Sequence, residues 1–351
     1  MRALLLLILT LAATARAERA LNPPAPEFPP AGVWLNATSM SLSRLRKRKV
    51  VVIAFVNPTS INSIRVLPTL KAWFDRYALS SVMVIGVLTP DLNFHREPVW
   101  AKNLLKRYGI EYPVILDTDR RIWKAYGNEG WPALYLVDRK GRIVFDRLGE
   151  GGDREFEKEL RLALADLIGD SALPPETDVV DPRRQECGSA TPEIALGARP
   201  GVKPPLALDN DLSLRRSLIV AARDGETADH GRWEIQSDGL RLAQDNKAQS
   251  AFVRVVYHAA QALAVLSPAE SGRTRVFVKQ DNLWLHEGNK GRDIQFDDDG
   301  RSYIVLDVPR LYDLTRESVH SPHELFLMPD REGATIHGLS FSDACVVTAL
   351  P

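Results

Sequence analysis

Cysteine is almost missing from this chain: its 351 residues include two, Cys187 and Cys345. They lie far apart, so no Cys-x-x-Cys pair exists anywhere in the sequence. Two cysteines permit one bridge. Net charge is missing as well, since 45 Lys and Arg balance 45 Asp and Glu. That balance removes any global electrostatic case for nucleic acid or acidic lipid as a partner. The basic run Arg44, Arg46, Lys47, Arg48, Lys49 reads as a solvated helix end leading into a strand. Long apolar runs are also lacking. The stretch Leu4–Leu11 falls short of the roughly 20 residues that span a bilayer, and no later segment is longer.

That first stretch has its own meaning. Arg2 precedes it and Ala15-Arg16-Ala17 follows it, the order of a secretory signal peptide (residues 1–17) cleaved after Ala17. The alternative is an uncleaved anchor. Export would place the chain in the periplasm or cell envelope of a bacterium, where disulfides persist.

What is present is ordinary for a globular protein: 45% hydrophobic and 26% charged residues, in a length that suits two domains. Residues 18–33 hold five prolines and read as a stiff linker. From Trp34 to Gly169 the pattern alternates between strand and helix. Val50–Val56 and Val82–Leu88 are continuous apolar runs, as in strands buried on both faces. Helices are predicted over 61–77, 99–108 and 156–168, the last from Phe156, Leu160, Leu164 and Leu167 on one face. Asp138-Arg139-Lys140-Gly141 marks a hairpin turn. Residues 170–205 are rich in proline and read as a second linker. Over 206–351 helical periodicity gives way to short alternating segments, such as 252–257, 263–266 and 324–328, which predict an all-β sandwich.

The most informative stretch is a strand, a loop, then Ser60-Ile61-Asn62-Ser63 at a helix start. Pro68 follows inside that helix, and Trp131-Pro132 stands just before the next strand. Together these resemble a thioredoxin-like domain with serine in both redox-cysteine positions. Residues 60–68 (SINSIRVLP), 112–117 (YPVILD), 131–138 (WPALYLVD) and 149–153 (GEGGD) resemble DipZ-type and TlpA-like exported thioredoxin domains. TPEIALG at 191–197, VLDVPRLYDL at 305–314 and GLSFS at 338–342 resemble the β-sandwich that follows in DipZ-type proteins, a jelly-roll module like a carbohydrate-binding fold. The resemblance implies a cis peptide at Pro132 and thiol–disulfide oxidoreductase activity. The serines remove the means of that activity. A serine hydroxyl is far less acidic than a thiol, forms no disulfide and needs an adjacent base. His95 is the domain's one histidine and is remote in sequence.

Ser60 is therefore expected to cap the helix after it, and the chain to be a non-catalytic binding or scaffold protein without a cofactor. Three alternatives stay open. The relatives' oxidoreductase activity is one, and a carbohydrate-binding envelope protein is another. The third leaves Pro132 a purely structural role. A groove around Ile61, Asn62, Trp131 and Pro132 is the candidate site for a peptide of an exported partner. Trp233, Trp284 and Tyr303 are candidates for stacking on a glycan, or else core residues. Cys187 and Cys345 flank the β domain and form the candidate disulfide. No metal site is expected: Asp297-Asp298-Asp299-Gly300 lacks calcium-loop spacing, and His320, His323 and Glu324 lack a fourth ligand.

Overall fold

The run Val50–Val56 becomes the centre of a sheet. In a computed structural model, which describes residues 22–178, 189–198, 206–207, 223–270 and 272–343, strand β2 (Val50–Phe55) is buried along its whole length. It lies between β3 (Val82–Leu88), its parallel neighbour, and β5 (Ala133–Val137), its antiparallel neighbour. With β1 (Val33–Leu35), β4 (Val114–Leu116) and β6 (Ile143–Leu148) the order is β1-β4-β3-β2-β5-β6. Five helices punctuate these strands: α1 (Leu42–Leu45), α2 (Ile61–Tyr77), α3 (Pro98–Tyr108), α4 (Arg121–Ala125) and α5 (Asp153–Ile168). Helix α5 buries Phe156, Leu160 and Leu164, one per turn. Its Phe156 ring stacks on Trp73 of α2 at 5.2 Å. The turn over residues 138–141 forms as predicted, with Asp138 Oδ1 accepting from the N–H groups of Lys140 and Arg142 and Gly141 at φ +77°.

Residues 23–33 are not a free linker. The Ile143 N–H donates to the Pro23 carbonyl and the Ala25 N–H to the Gly141 carbonyl. Phe28 is buried and meets Trp34 edge-on at 5.3 Å. The Glu27 carboxylate accepts from the N–H groups of Leu42 and Ser43 at the start of α1. Burial opposes the charge, yet these backbone donors hold the Glu27 carboxyl below its ordinary range. The prolines stiffen a segment whose carbonyls and one aromatic ring lie against the domain. The signal-peptide segment and both cysteines lie outside the described residues.

The chain divides into two compact units. The first comprises Met1–Phe55, Pro68–Thr89 and Glu111–Val179, and the second Val56–Leu67, Pro90–Ile110 and Val180–Pro351. The boundary in helix α2 falls at Pro68, whose missing N–H interrupts the helical ladder.

The second unit is dominated by β structure. Its strands are β7 (Ile194–Ala195), β8 (Leu206–Ala207), β9 (Thr227–His230), β10 (Trp233–Gln236), β11 (Gly239–Leu242), β12 (Phe252–Ser267), β13 (Thr274–Gln280), β14 (Leu283–Trp284), β15 (Gln295–Phe296), β16 (Ser302–Leu306), β17 (Arg310–Pro329) and β18 (Thr335–Ser342). All twelve join one hydrogen-bonded network, and the all-β expectation holds. Two differences stand out. The unit starts before residue 206, because β7 pairs with β18 and Leu196 is core. The segments 252–257 and 263–266 are one strand, β12, broken by a bulge at 259–261.

That bulge has a consequence for packing. Before it Val253, Val255, Tyr257 and Ala259 face the β core; after it Ala262, Ala264 and Leu266 do. The inward parity has switched from odd to even, as an extra residue requires. The odd residues Leu263 and Val265 are buried too, in a separate cluster with Ile61, Ile64, Leu92 and Leu311. The second half of β12 is thus covered on both faces, one of them by the start of helix α2.

Candidate functional site

The serine pair sits at that helix start. The Ile64 N–H donates to the Ser60 carbonyl at 3.1 Å, the first helical bond, so Ser60 holds the N-cap position. Its hydroxyl does not cap the helix, contrary to expectation. It donates to Glu193 Oε1 at 3.1 Å, and Ser340 Oγ donates to the same oxygen at 2.9 Å. Ser63 is fully buried, and its Oγ accepts from the Asn57 N–H at 3.0 Å. Asn57 in turn orders the loop: its Oδ1 accepts from the Thr59 N–H at 3.1 Å and the Thr59 hydroxyl at 2.7 Å. Replacing Ser63 by alanine strands a buried N–H, so Ser63→Ala is expected to cost about 1–3 kcal/mol in urea denaturation. A loss under about 0.5 kcal/mol would show that the bond is dispensable.

Folding brings in a residue that sequence distance had excluded. His95 Nε2 lies 3.3 Å from Thr59 Oγ1. His95 Nδ1 accepts from the N–H groups of Asp91 (3.2 Å) and Leu92 (3.3 Å). The proton therefore resides on Nε2, which donates to Thr59 Oγ1, and that hydroxyl donates to Asn57. A ring wired this way has no lone pair to offer a nucleophile. Burial, aided by the neighbouring His337, also pushes its pKa down to about 3. Ser60 faces a carboxylate instead of an imidazole, and serine chemistry of the Ser–His kind has no support here.

The other predicted residues are dispersed. Ile61 is 1% exposed and packs with Leu263, Val265 and Leu311, while Asn62 is half-buried. In the first unit the Trp131–Pro132 peptide is cis. Trp131 lies 4.4 Å from Trp123, and the Arg120 guanidinium sits over both rings. The Trp131 Nε1 proton has no hydrogen-bond partner among the described residues. Beside this peptide a cavity of about 420 Å³ is lined by Tyr126, Asn128, Ala133, Tyr135, Ile143 and Leu148, among others. In the second unit Trp284 and Tyr303 flank Phe277 at 6.3 and 5.8 Å, whereas Trp233 is on β10, at the other end of the strand order. His320 pairs with Asp343 and His323 with Asp281. Among the described residues no group of three or more His, Cys, Asp or Glu could hold a metal, and no helix is long and apolar enough to cross a membrane.

Strand, loop, S-x-x-S helix start, kink proline and cis-proline before the next strand define a thioredoxin-like domain. Residues 21–160 match the Redoxin family, and the large β region follows them. Protein DipZ of Mycobacterium bovis is 29% identical over 245 residues, covering 64% of this chain and 32% of DipZ. The chain thus spans about a third of that relative. Thiol-disulfide oxidoreductase YkuV of Bacillus subtilis is 25% identical over 146 residues, 42% of this chain and 97% of YkuV. A thiol-disulfide isomerase structure from Corynebacterium glutamicum is 26% identical, covering 40% of this chain and 97% of its own, with a TM-score of 0.37. The matches to the Redoxin family and YkuV relate the first domain to thiol–disulfide oxidoreductases, and the match to DipZ supports a DipZ-type relationship.

Proposed function

We propose that this protein is an exported, non-catalytic member of that lineage, a recognition or scaffold protein of the cell envelope. One observation carries the reading: both serine hydroxyls are engaged in hydrogen bonds, with no thiol at either position and no imidazole bonded to either. What the scaffold keeps is the cis-proline, with an indole N–H beside it that has no partner among the described residues and a cavity that Ala133 helps to line. An extended segment of another exported protein would lie against the Trp131–Pro132 turn and place side chains in the cavity. In this reading Trp131 and Pro132 serve the groove.

The test is binding without thiols. A reduced, carboxymethylated and therefore unfolded polypeptide is expected to bind immobilised protein saturably, with Trp131→Ala weakening it at least tenfold. Absence of saturable binding would contradict the recognition role. A second reading has its own observation. Trp284 and Tyr303 share one neighbourhood, and Lys279 lies over Trp284 at 4.4 Å. Such a face favours an acidic glycan on the β unit.

A further inference from the structure

A cleft of about 250 Å³ opens beside Ser60, and every residue that lines it belongs to the second unit. Asn57 is 5% exposed and lines it. Both bonds to its side chain fall on Oδ1, and Nδ2 has no partner among the described residues. This donor lies on a residue that lines the cleft, where a ligand acceptor could reach it. Glu193 lines the same cleft, with Oε1 held by Ser60 and Ser340. No Lys or Arg is among the lining residues. His337 also lines it: its Nδ1 meets the Asp238 carbonyl at 2.7 Å and its Nε2 the Ser267 hydroxyl at 2.7 Å. Burial lowers the pKa of that ring, which keeps it neutral. The cleft therefore presents carboxylate charge, hydroxyls and one waiting amide donor. It is smaller than the roughly 300–1,000 Å³ of drug-sized sites, which restricts it to a compact group.

We propose that the cleft binds a primary ammonium group with a neighbouring carbonyl or hydroxyl oxygen, the ammonium on Glu193 and the oxygen on Asn57 Nδ2. An ammonium brings three donors and no acceptor, complementary to a carboxylate flanked by hydroxyls. The adjacent oxygen satisfies the one donor the loop leaves empty. A peptide N-terminus and an amino sugar share this chemistry. The inference goes beyond the recognition reading above and names a ligand class for the cleft beside Ser60.

Calorimetric titration of the full chain tests it with four probes: trialanine, N-acetyl-trialanine, glucosamine and N-acetylglucosamine. Saturable binding is expected for at least one free amine, at least tenfold tighter than for its acetylated form. Trialanine alone points to a peptide N-terminus, and glucosamine alone to an amino sugar. Glu193→Gln is expected to weaken binding at least tenfold and Glu193→Lys to abolish it. Glu193 is exposed, so both variants are expected to keep the wild-type urea midpoint. No binding of either amine, equal binding of an acetylated form, or unchanged affinity in Glu193→Gln would overturn the proposal. If the carboxymethylated polypeptide still bound in any of these cases, the recognition role would stand without it.

Discussion

Between pH 6.5 and pH 4 the folded protein is expected to lose about 3 kcal/mol of stability through His95 alone. The ring is buried, stacks on Trp100 at 4.5 Å, and is neutral with its one proton on Nε2. A second proton would have to enter at Nδ1, where two backbone N–H groups already point. No carboxylate is bonded to the ring to offset the charge; its polar partners are Thr59 and those two N–H groups, and His337 adds repulsion when charged. The folded pKa near 3 lies below the unfolded value of about 6.5. Across that window the unfolded chain binds the extra proton and the folded chain does not. Stability is thus fully present above about pH 6.5 and falls by roughly 1.4 kcal/mol per pH unit, down to about pH 3. Urea denaturation followed by tryptophan fluorescence at pH 7, 5.5 and 4 measures this. His95→Gln, which cannot titrate, should flatten the profile by about one proton. Parallel profiles for the two proteins would show that His95 does not control acid stability.

Much of the first domain was legible in the sequence because its signals are local. Val50–Val56 and Val82–Leu88 carry no alternation, and each lies between two other strands of the sheet. Gly109, at φ 58°, ends helix α3 as a left-handed residue should. The cis peptide at Trp131-Pro132 is what the family resemblance implied. The Pro-rich segment misled for an equally physical reason. Proline reports stiffness, and an extended stiff chain lies against a domain as readily as it spans open solvent. Nothing local in Phe28 announces that its ring will enter the core.

The β region was legible as a class and misread in detail. The apolar run Leu263–Leu266 looked like a short strand of its own because the bulge before it breaks the alternation. Its lack of alternation did carry information, for Leu263 and Val265 are buried on the face away from the β core. The partners of the serine pair were beyond sequence reasoning. Ser60 and Glu193 are 133 positions apart, and Thr59 and His95 are 36 apart. Such pairs follow from tertiary packing, and neither glutamate nor histidine carries a periodic signature. The unused donor of Asn57 is harder still to foresee, since it depends on which amide atom the loop consumes.

These placements sharpen the meaning of the serines. Ser63 supports the loop before the helix, and Ser60 links the helix start to Glu193 of the same unit. A cysteine at position 60 would face that carboxylate, whose charge raises a thiol pKa and opposes the thiolate that attack requires. The surroundings and the serines thus agree with one another. In the proposed non-catalytic reading both weigh against disulfide exchange, which needs a thiolate nucleophile and a resolving thiol. Cys187 and Cys345 are not in the motif and supply neither part there.

The most direct measurement is dithiothreitol-driven reduction of insulin, followed by turbidity, with the full chain at micromolar concentration. The expected rate is that of dithiothreitol alone, unchanged on adding wild type or Ser60→Ala. A wild-type rate above that background, rising with protein concentration, would contradict it. Loss of such a rate in Cys187→Ser or Cys345→Ser would then assign the chemistry to the two cysteines outside the motif.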